Sequence, residues 1–124
     1  MTVAQADYGP RALLLLCPSF GIHTDLATLR RQAGTTPKGT TLQGLSHAAT
    51  ALGLKAKGIQ VDRQALAHVS LPAVVWYDGN HYIDLLAVSD EQVTIRDPNK
   101  PKEEDISTNE LLGRSGGILL TLSR

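Results

Sequence analysis

The sequence predicts an α+β domain with its helices first and its sheet second, and three observations carry that expectation. Apolar residues recur at helical spacing as far as Gly53. Beyond it they alternate with polar ones. The second half is also cut at short intervals by turn-forming clusters, Asp78-Gly79-Asn80 and Ser89-Asp90-Glu91 among them. Tyr8-Gly9-Pro10 reads as a helix start, because proline is tolerated in a first turn. Leu13, Leu16, Cys17 and Phe20 then follow at helical spacing until Pro18 and Gly21 stop the helix. Thr24 is expected to cap a second helix with Leu26, Leu29 and Ala33 inward, Arg30 and Arg31 outward, and its end at Gly34. Thr41 is expected to cap a third, with Leu42, Leu45, Ala48, Ala49 and Leu52 on its apolar face and its end at Gly53.

Leu54 to Lys57 and Ile59 to Val61 read as strand, followed by a short helix over Arg63 to His68. Ala73 to Tyr77, His81 to Val88 and Gln92 to Arg96 form an expected antiparallel meander that Asp97-Pro98-Asn99-Lys100-Pro101 breaks. A short helix near Thr108 to Leu112 and a buried last strand over Gly117 to Leu122 complete the reading. No repeat, low-complexity tract or linker divides residues 1–124, which are expected to form one domain.

Composition narrows the function classes. The chain has 12 basic and 12 acidic residues and a formal net charge of zero, so it offers no field suited to a nucleic-acid backbone or an anionic membrane. One cysteine cannot close an internal disulfide, and no charged segment followed by a long apolar one stands at the N-terminus, so a cytosolic setting is expected. The apolar run Ala12 to Cys17 is far short of the roughly 20 residues that cross a bilayer. Gly34 to Thr41 resembles a phosphate loop only superficially, because Lys38 precedes the second glycine, and it reads as an ordinary loop. His23, His47 and His68 lack metal-ligand spacing and are assigned to the surface or to loops.

The residues that suggest chemistry are His81 and Asp97. His81 opens one strand and Asp97 follows the next, so an antiparallel hairpin brings an imidazole and a carboxylate together. Such a pair suits cysteine-peptidase chemistry, which also needs a thiolate at a helix N-terminus, where the helix dipole and the imidazole lower its pKa. Tyr8 occupies that place. Cys17 lies nine residues on, about 13 Å along a helix axis, and is expected to be a small core residue. A phenol that ionises near pH 10 is a poor substitute for a thiolate, so Tyr8 reads as a plug. Taken alone, His81 could instead be a strand-end residue satisfied by solvent or Asp90, and Asp97-Pro98 a turn start.

Asp7-Tyr8-Gly9, Lys38 to Leu45, Ala48-Ala49 through Leu54, Leu71 to Trp76, His81-Tyr82-Ile83 and Asp97-Pro98, in that order and spacing, resemble one family. It is the papain-like, double-glycine leader peptidase domain at the N-terminus of bacterial peptide and protein exporters. Active members carry Asp-Cys-Gly at the Tyr8 position and an oxyanion-stabilising glutamine about six residues earlier. That earlier place is Thr2 here, with Gln5 only three residues ahead of Tyr8. The resemblance therefore points to the inactive branch, found at the N-terminus of haemolysin-type secretion ABC transporters.

That branch implies a papain-like fold, a degenerate site of Tyr8, His81 and Asp97, and a non-catalytic role in binding an unfolded export substrate at the cytoplasmic face of the inner membrane. It further implies that residues 1–124 are the N-terminal part of a longer exporter. The transmembrane and nucleotide-binding parts would then lie downstream, with ATP and magnesium bound there and no cofactor here. The alternatives are a leader peptidase cutting after a double glycine and a purely structural docking domain. Trp76, Tyr77 and Tyr82 are the expected aromatic substrate surface, with Trp76 stacking on His81, lining a groove or packing in the core. Asp84, between apolar neighbours, is expected to face solvent.

Overall fold

The computed structural model describes residues 7–124. Helix α1 (Tyr8–Leu16) tightens into a 3-10 turn (Cys17–Phe20), and α2 (Leu26–Ala33), α3 (Leu42–Ala51), β1 (Lys55–Gln60) and α4 (Arg63–Leu66) follow. The chain then forms β2 (Ala73–Tyr77), β3 (His81–Val88), β4 (Gln92–Arg96), β5 (Glu104–Ser107), α5 (Thr108–Ser115) and β6 (Ile118–Ser123). The strands make one antiparallel sheet in the order β1-β6-β2-β3-β4-β5. The last strand is thus inserted between β1 and β2.

Local sequence explains most boundaries. Pro18 and the left-handed Gly21 (φ 70°) end the first helical stretch, and Gly34 (φ 67°) closes α2 while its N–H donates to the carbonyls of Arg30 and Arg31. The Thr41 hydroxyl caps α3 by accepting from the Gly44 N–H at 2.9 Å. The cap of α2 differs from the expectation. Asp25, not Thr24, accepts from Thr28 N at 2.7 Å, because a carboxylate one residue nearer the helix reaches its free N–H groups and fits their dipole.

The sheet is covered on both faces. Successive residues of a strand point to opposite sides, so Val74, Tyr82, Leu120 and Leu122 pack with α1, α2 and α3, while Val75, Ile83, Leu85 and Leu119 pack with Leu66 of α4 and Leu111 of α5. Asp84 shares the α1-facing side with Tyr82 and sits opposite Val74 in the register. It is 0 % exposed, which corrects the expected solvent position: with both faces covered, β3 has no wet side on which to place it. The second correction is β5, which carries only Ile106 as an apolar signal and pairs as an edge strand along β4.

Candidate functional site

Three elements meet at the N-terminus of α1. Tyr8 is the first residue of α1, His81 opens β3, and Asp97 follows directly on β4. Antiparallel pairing sets Asp84 against Arg96, so the start of β3 and the end of β4 lie together. His81 Nε2 stands 3.5 Å from Asp97 Oδ2, and both side chains are only 14 % exposed. The Tyr8 ring covers the imidazole with centroids 5.1 Å apart, and the Tyr77 ring meets it edge-on at 5.7 Å. His81 Nδ1 lies 2.6 Å from Asn80 Oδ1, so both ring nitrogens face oxygen.

The structure thus joins Tyr8, His81 and Asp97 as the sequence expects, and it pairs His81 with Asp97 rather than with Asp90. Asp97 also starts its turn: Oδ1 accepts from Asn99 N at 2.9 Å and its carbonyl from Lys100 N at 2.9 Å. Arg11, one turn beyond Tyr8, fixes that turn to α1 by donating from Nη1 to Asn99 Oδ1 at 2.9 Å and from Nη2 to the Pro98 carbonyl at 2.8 Å. Sequence reasoning missed Arg11 and Asn80. The signal for Arg11 was its charge at the head of an otherwise apolar helix. Asp7 at the N-cap position is held by Arg30 of α2 at 2.8 Å.

Cys17 is not near this chemistry. It is 1 % exposed, its thiol donates to the Leu13 carbonyl at 3.3 Å, and burial together with the nearby Asp84 pushes its pKa up. The positions expected for oxyanion stabilisation, Thr2 and Gln5, lie outside the described residues.

A cleft of about 260 Å³ opens beside His81, walled by residues 38–40 on one side and by Trp76 and residues 79–82 on the other. A larger hollow of about 370 Å³ between α4 and the β3–β4 turn contains neither histidine nor cysteine, and the chemistry belongs to the smaller one. The expected aromatic surface needs correction. Trp76 is partly exposed, but Tyr77 and Tyr82 are 3 % and 4 % exposed, because each lies on a sheet face that helices cover. Trp76 packs on Tyr82 at 4.8 Å, not on His81, since the two are direct cross-strand partners.

Burial raises the Tyr82 phenol to about 12, and its hydroxyl donates to the Thr40 carbonyl at 2.9 Å, pinning the far wall of the cleft. Burial also raises Tyr77, against the Arg114 guanidinium 4.3 Å over its ring. Among the described residues no group of three or more His, Cys, Asp or Glu side chains could hold a metal ion, and no helix is long and apolar enough to cross a membrane.

The peptidase C39 family matches residues 1–124. An uncharacterized protein of Methanothermobacter marburgensis is 37% identical over 90 residues, covering 73% of this chain and 63% of the relative. The alpha-hemolysin translocation ATP-binding protein HlyB of Escherichia coli O157:H7 is 30% identical over 116 residues, covering 91% of this chain and 16% of the relative. The chain therefore spans less than two thirds of the first relative and about a sixth of the second. A crystal structure of a double glycine motif protease from an AMS/PCAT transporter, in complex with its leader peptide, superposes with a TM-score of 0.86 at 22% identity, covering 95% of this chain and 84% of that one. This likeness gives the fold.

Proposed function

Because this chain belongs to the peptidase C39 family, we propose that it holds a substrate without cutting it, as a domain of a toxin- or bacteriocin-exporting ABC transporter that binds the unfolded secretion substrate. The observation that carries this reading is Tyr8 at the head of α1, ring to ring with His81 at 5.1 Å, in the place where cysteine-peptidase chemistry needs a thiolate. The imidazole keeps its carboxylate partner and its cleft, so a binding groove remains beside a site that has no nucleophile. Trp76 at that groove is the aromatic contact offered to an extended chain, with Tyr82 packed beneath it.

An extended segment presents backbone donors, acceptors and alternate side chains to such a groove, and folding removes them. Support for the partner class comes from relatives: HlyB is a translocation ATP-binding protein, and the superposed protease holds a leader peptide. In this reading ATP and magnesium bind in other parts of the exporter, this domain carries no cofactor, and it works at the cytoplasmic face of the inner membrane.

The retained His81–Asp97 pair favours a second reading, a leader peptidase with a displaced nucleophile. The buried, pKa-raised Cys17 weighs against it. Titrating the domain with a secreted protein in denatured and folded forms, while following Trp76 fluorescence, tests the first reading. Tighter binding of the denatured form is expected, and equal affinity would reject it. Thiol-dependent cleavage of a double-glycine leader would establish the second. Binding of neither form, without cleavage, would leave a docking domain.

A further inference from the structure

We propose that the cleft beside His81 selects a carboxylate side chain, Asp or Glu, of an extended chain, with Lys38 as its counter-charge. The inference rests on the reading that this groove receives an extended segment, and it adds which residues that segment must carry. Lys38 lines the cleft, and no Asp or Glu lines it. Among the described residues Lys38 enters no ion pair, whereas the neighbouring carboxylates are engaged elsewhere. Asp78 is held by Arg114 through bonds of 2.9 and 2.7 Å, and Asp97 faces His81. Lys38 is therefore the one Lys, Arg, Asp or Glu side chain that lines this opening, a cation in a chain that is neutral as a whole.

The wall that carries Lys38 is built rather than loose. Thr36 and Gly39 exchange two backbone hydrogen bonds at 3.0 and 2.9 Å, the Thr35 and Thr40 hydroxyls meet at 2.7 Å, and Thr36 Oγ1 accepts from Lys38 N at 3.2 Å. Tyr82 then ties Thr40 to the sheet. The backbone of Lys38 is thus set in place, and binding need order only its side chain. Gly39 and Gly79 carry no side chain over the opening, so a peptide backbone can approach from either wall.

The test uses short peptides with acetylated and amidated ends, built of glycine, serine and leucine around one central Asp, Asn or Lys, and titrated while the single tryptophan, Trp76, reports. The Asp peptide is expected to bind about three- to fivefold more tightly than the Asn peptide, in line with one solvent-accessible ion pair, and the Lys peptide more weakly. The preference should vanish in Lys38→Met, reverse in Lys38→Glu and fade toward about 1 M salt, where the screening length is about 3 Å. Equal binding of Asp and Asn peptides would overturn the proposal and leave the extended-chain reading standing. A preference for Asp that survives in Lys38→Met would overturn the role of Lys38. If no peptide binds, the proposal falls, and if denatured secretion substrate also fails to bind, the reading beneath it falls too.

Discussion

Arg11 and Asn99, 88 residues apart in the chain, are joined side chain to side chain at 2.9 Å, and through that bond the first helix holds the turn that presents Asp97. The guanidinium spans the junction between the helical layer and the sheet. Its second bond, to the Pro98 carbonyl, makes the grip two-pronged and so fixes direction as well as distance. His81 is therefore bracketed by α1 twice, directly by Tyr8 and indirectly by Arg11 through Asp97.

Asp97→Ala is expected to lower stability by about 1–3 kcal/mol, since it strips the imidazole of its partner and the turn of the bond to Asn99 N. Arg11→Met keeps the aliphatic stem and should cost less, about 1 kcal/mol, because the guanidinium is partly solvated. Urea midpoints measure both losses. An NMR shift of the His81 ring in Arg11→Met would show that the clamp positions the site, and an unmoved ring would reduce Arg11 to a surface contact.

Asp84 predicts an inverted pH response. Its carboxyl is 0 % exposed, neither oxygen has a hydrogen-bond partner among the described residues, and burial lifts its pKa well above 3.8 despite the opposing pull of Arg96. The folded state therefore holds this proton more tightly than the unfolded chain does. Below pH 3.8 both states are protonated. Above it the unfolded chain ionises first, so this group erodes stability as pH rises, by up to about 1.4 kcal/mol per unit, until the folded carboxyl also ionises. The advantage of Asp84→Asn over the wild type should grow as pH rises above 3.8, until the folded carboxyl itself ionises, as read from urea midpoints. Parallel pH profiles would mean that Asp84 is charged and compensated.

Gly44 of α3 lies against the backbone at the end of α2. A Cβ there would overlap the Ala33 carbonyl oxygen, and that oxygen belongs to backbone that cannot swing aside. Gly44→Ala should therefore destabilise by about 1–3 kcal/mol, although alanine is the better helix former. A midpoint at or above that of the wild type would show that the two helices can part without loss.

How much of this was legible in the sequence depends on what each residue type can signal alone. Gly34, Thr41 and the strands around Asp78-Gly79-Asn80 were readable because their signals are local: a left-handed glycine, a hydroxyl cap, a two-period alternation. The pairing of His81 with Asp97 was readable because two strand ends and a tight register leave little freedom. Asp84, Tyr77 and Tyr82 were misplaced for one shared reason. Their exposure depends on which helices cover each face of the sheet, α1, α2 and α3 over Tyr82 and Asp84 and α4 and α5 over Tyr77, a tertiary fact with no counterpart in strand periodicity. Arg11 and Lys38 were missed because a lone cation has the same local appearance whether it holds a turn, faces a cleft or meets only water.

Replacing Tyr8 tests the proposed loss of the nucleophile directly. Tyr8→Cys would restore a thiol at the head of α1 beside His81, yet Thr2 stands where a side-chain oxyanion donor is expected, and one such donor is worth about 10²–10³ in rate. Cleavage of a double-glycine leader by Tyr8→Cys should therefore remain at least about 100-fold below that of an active relative. Full activity would mean that Gln5 or a backbone amide supplies the missing bond.

The insertion of β6 between β1 and β2 has a consequence for synthesis on the ribosome. A nascent chain that has emerged only as far as α5 possesses β1 and the β2–β5 meander as two pieces with an unfilled slot between them. The strand that joins them is Ile118–Ser123, which pairs β1 along its whole length and β2 through Leu119, Leu120 and Thr121. Until that stretch clears the exit tunnel, the sheet is in two parts, and both flanks of the slot display unpaired backbone to anything nearby. The sheet is thus completed in one closing event that depends on β6, the strand that follows α5.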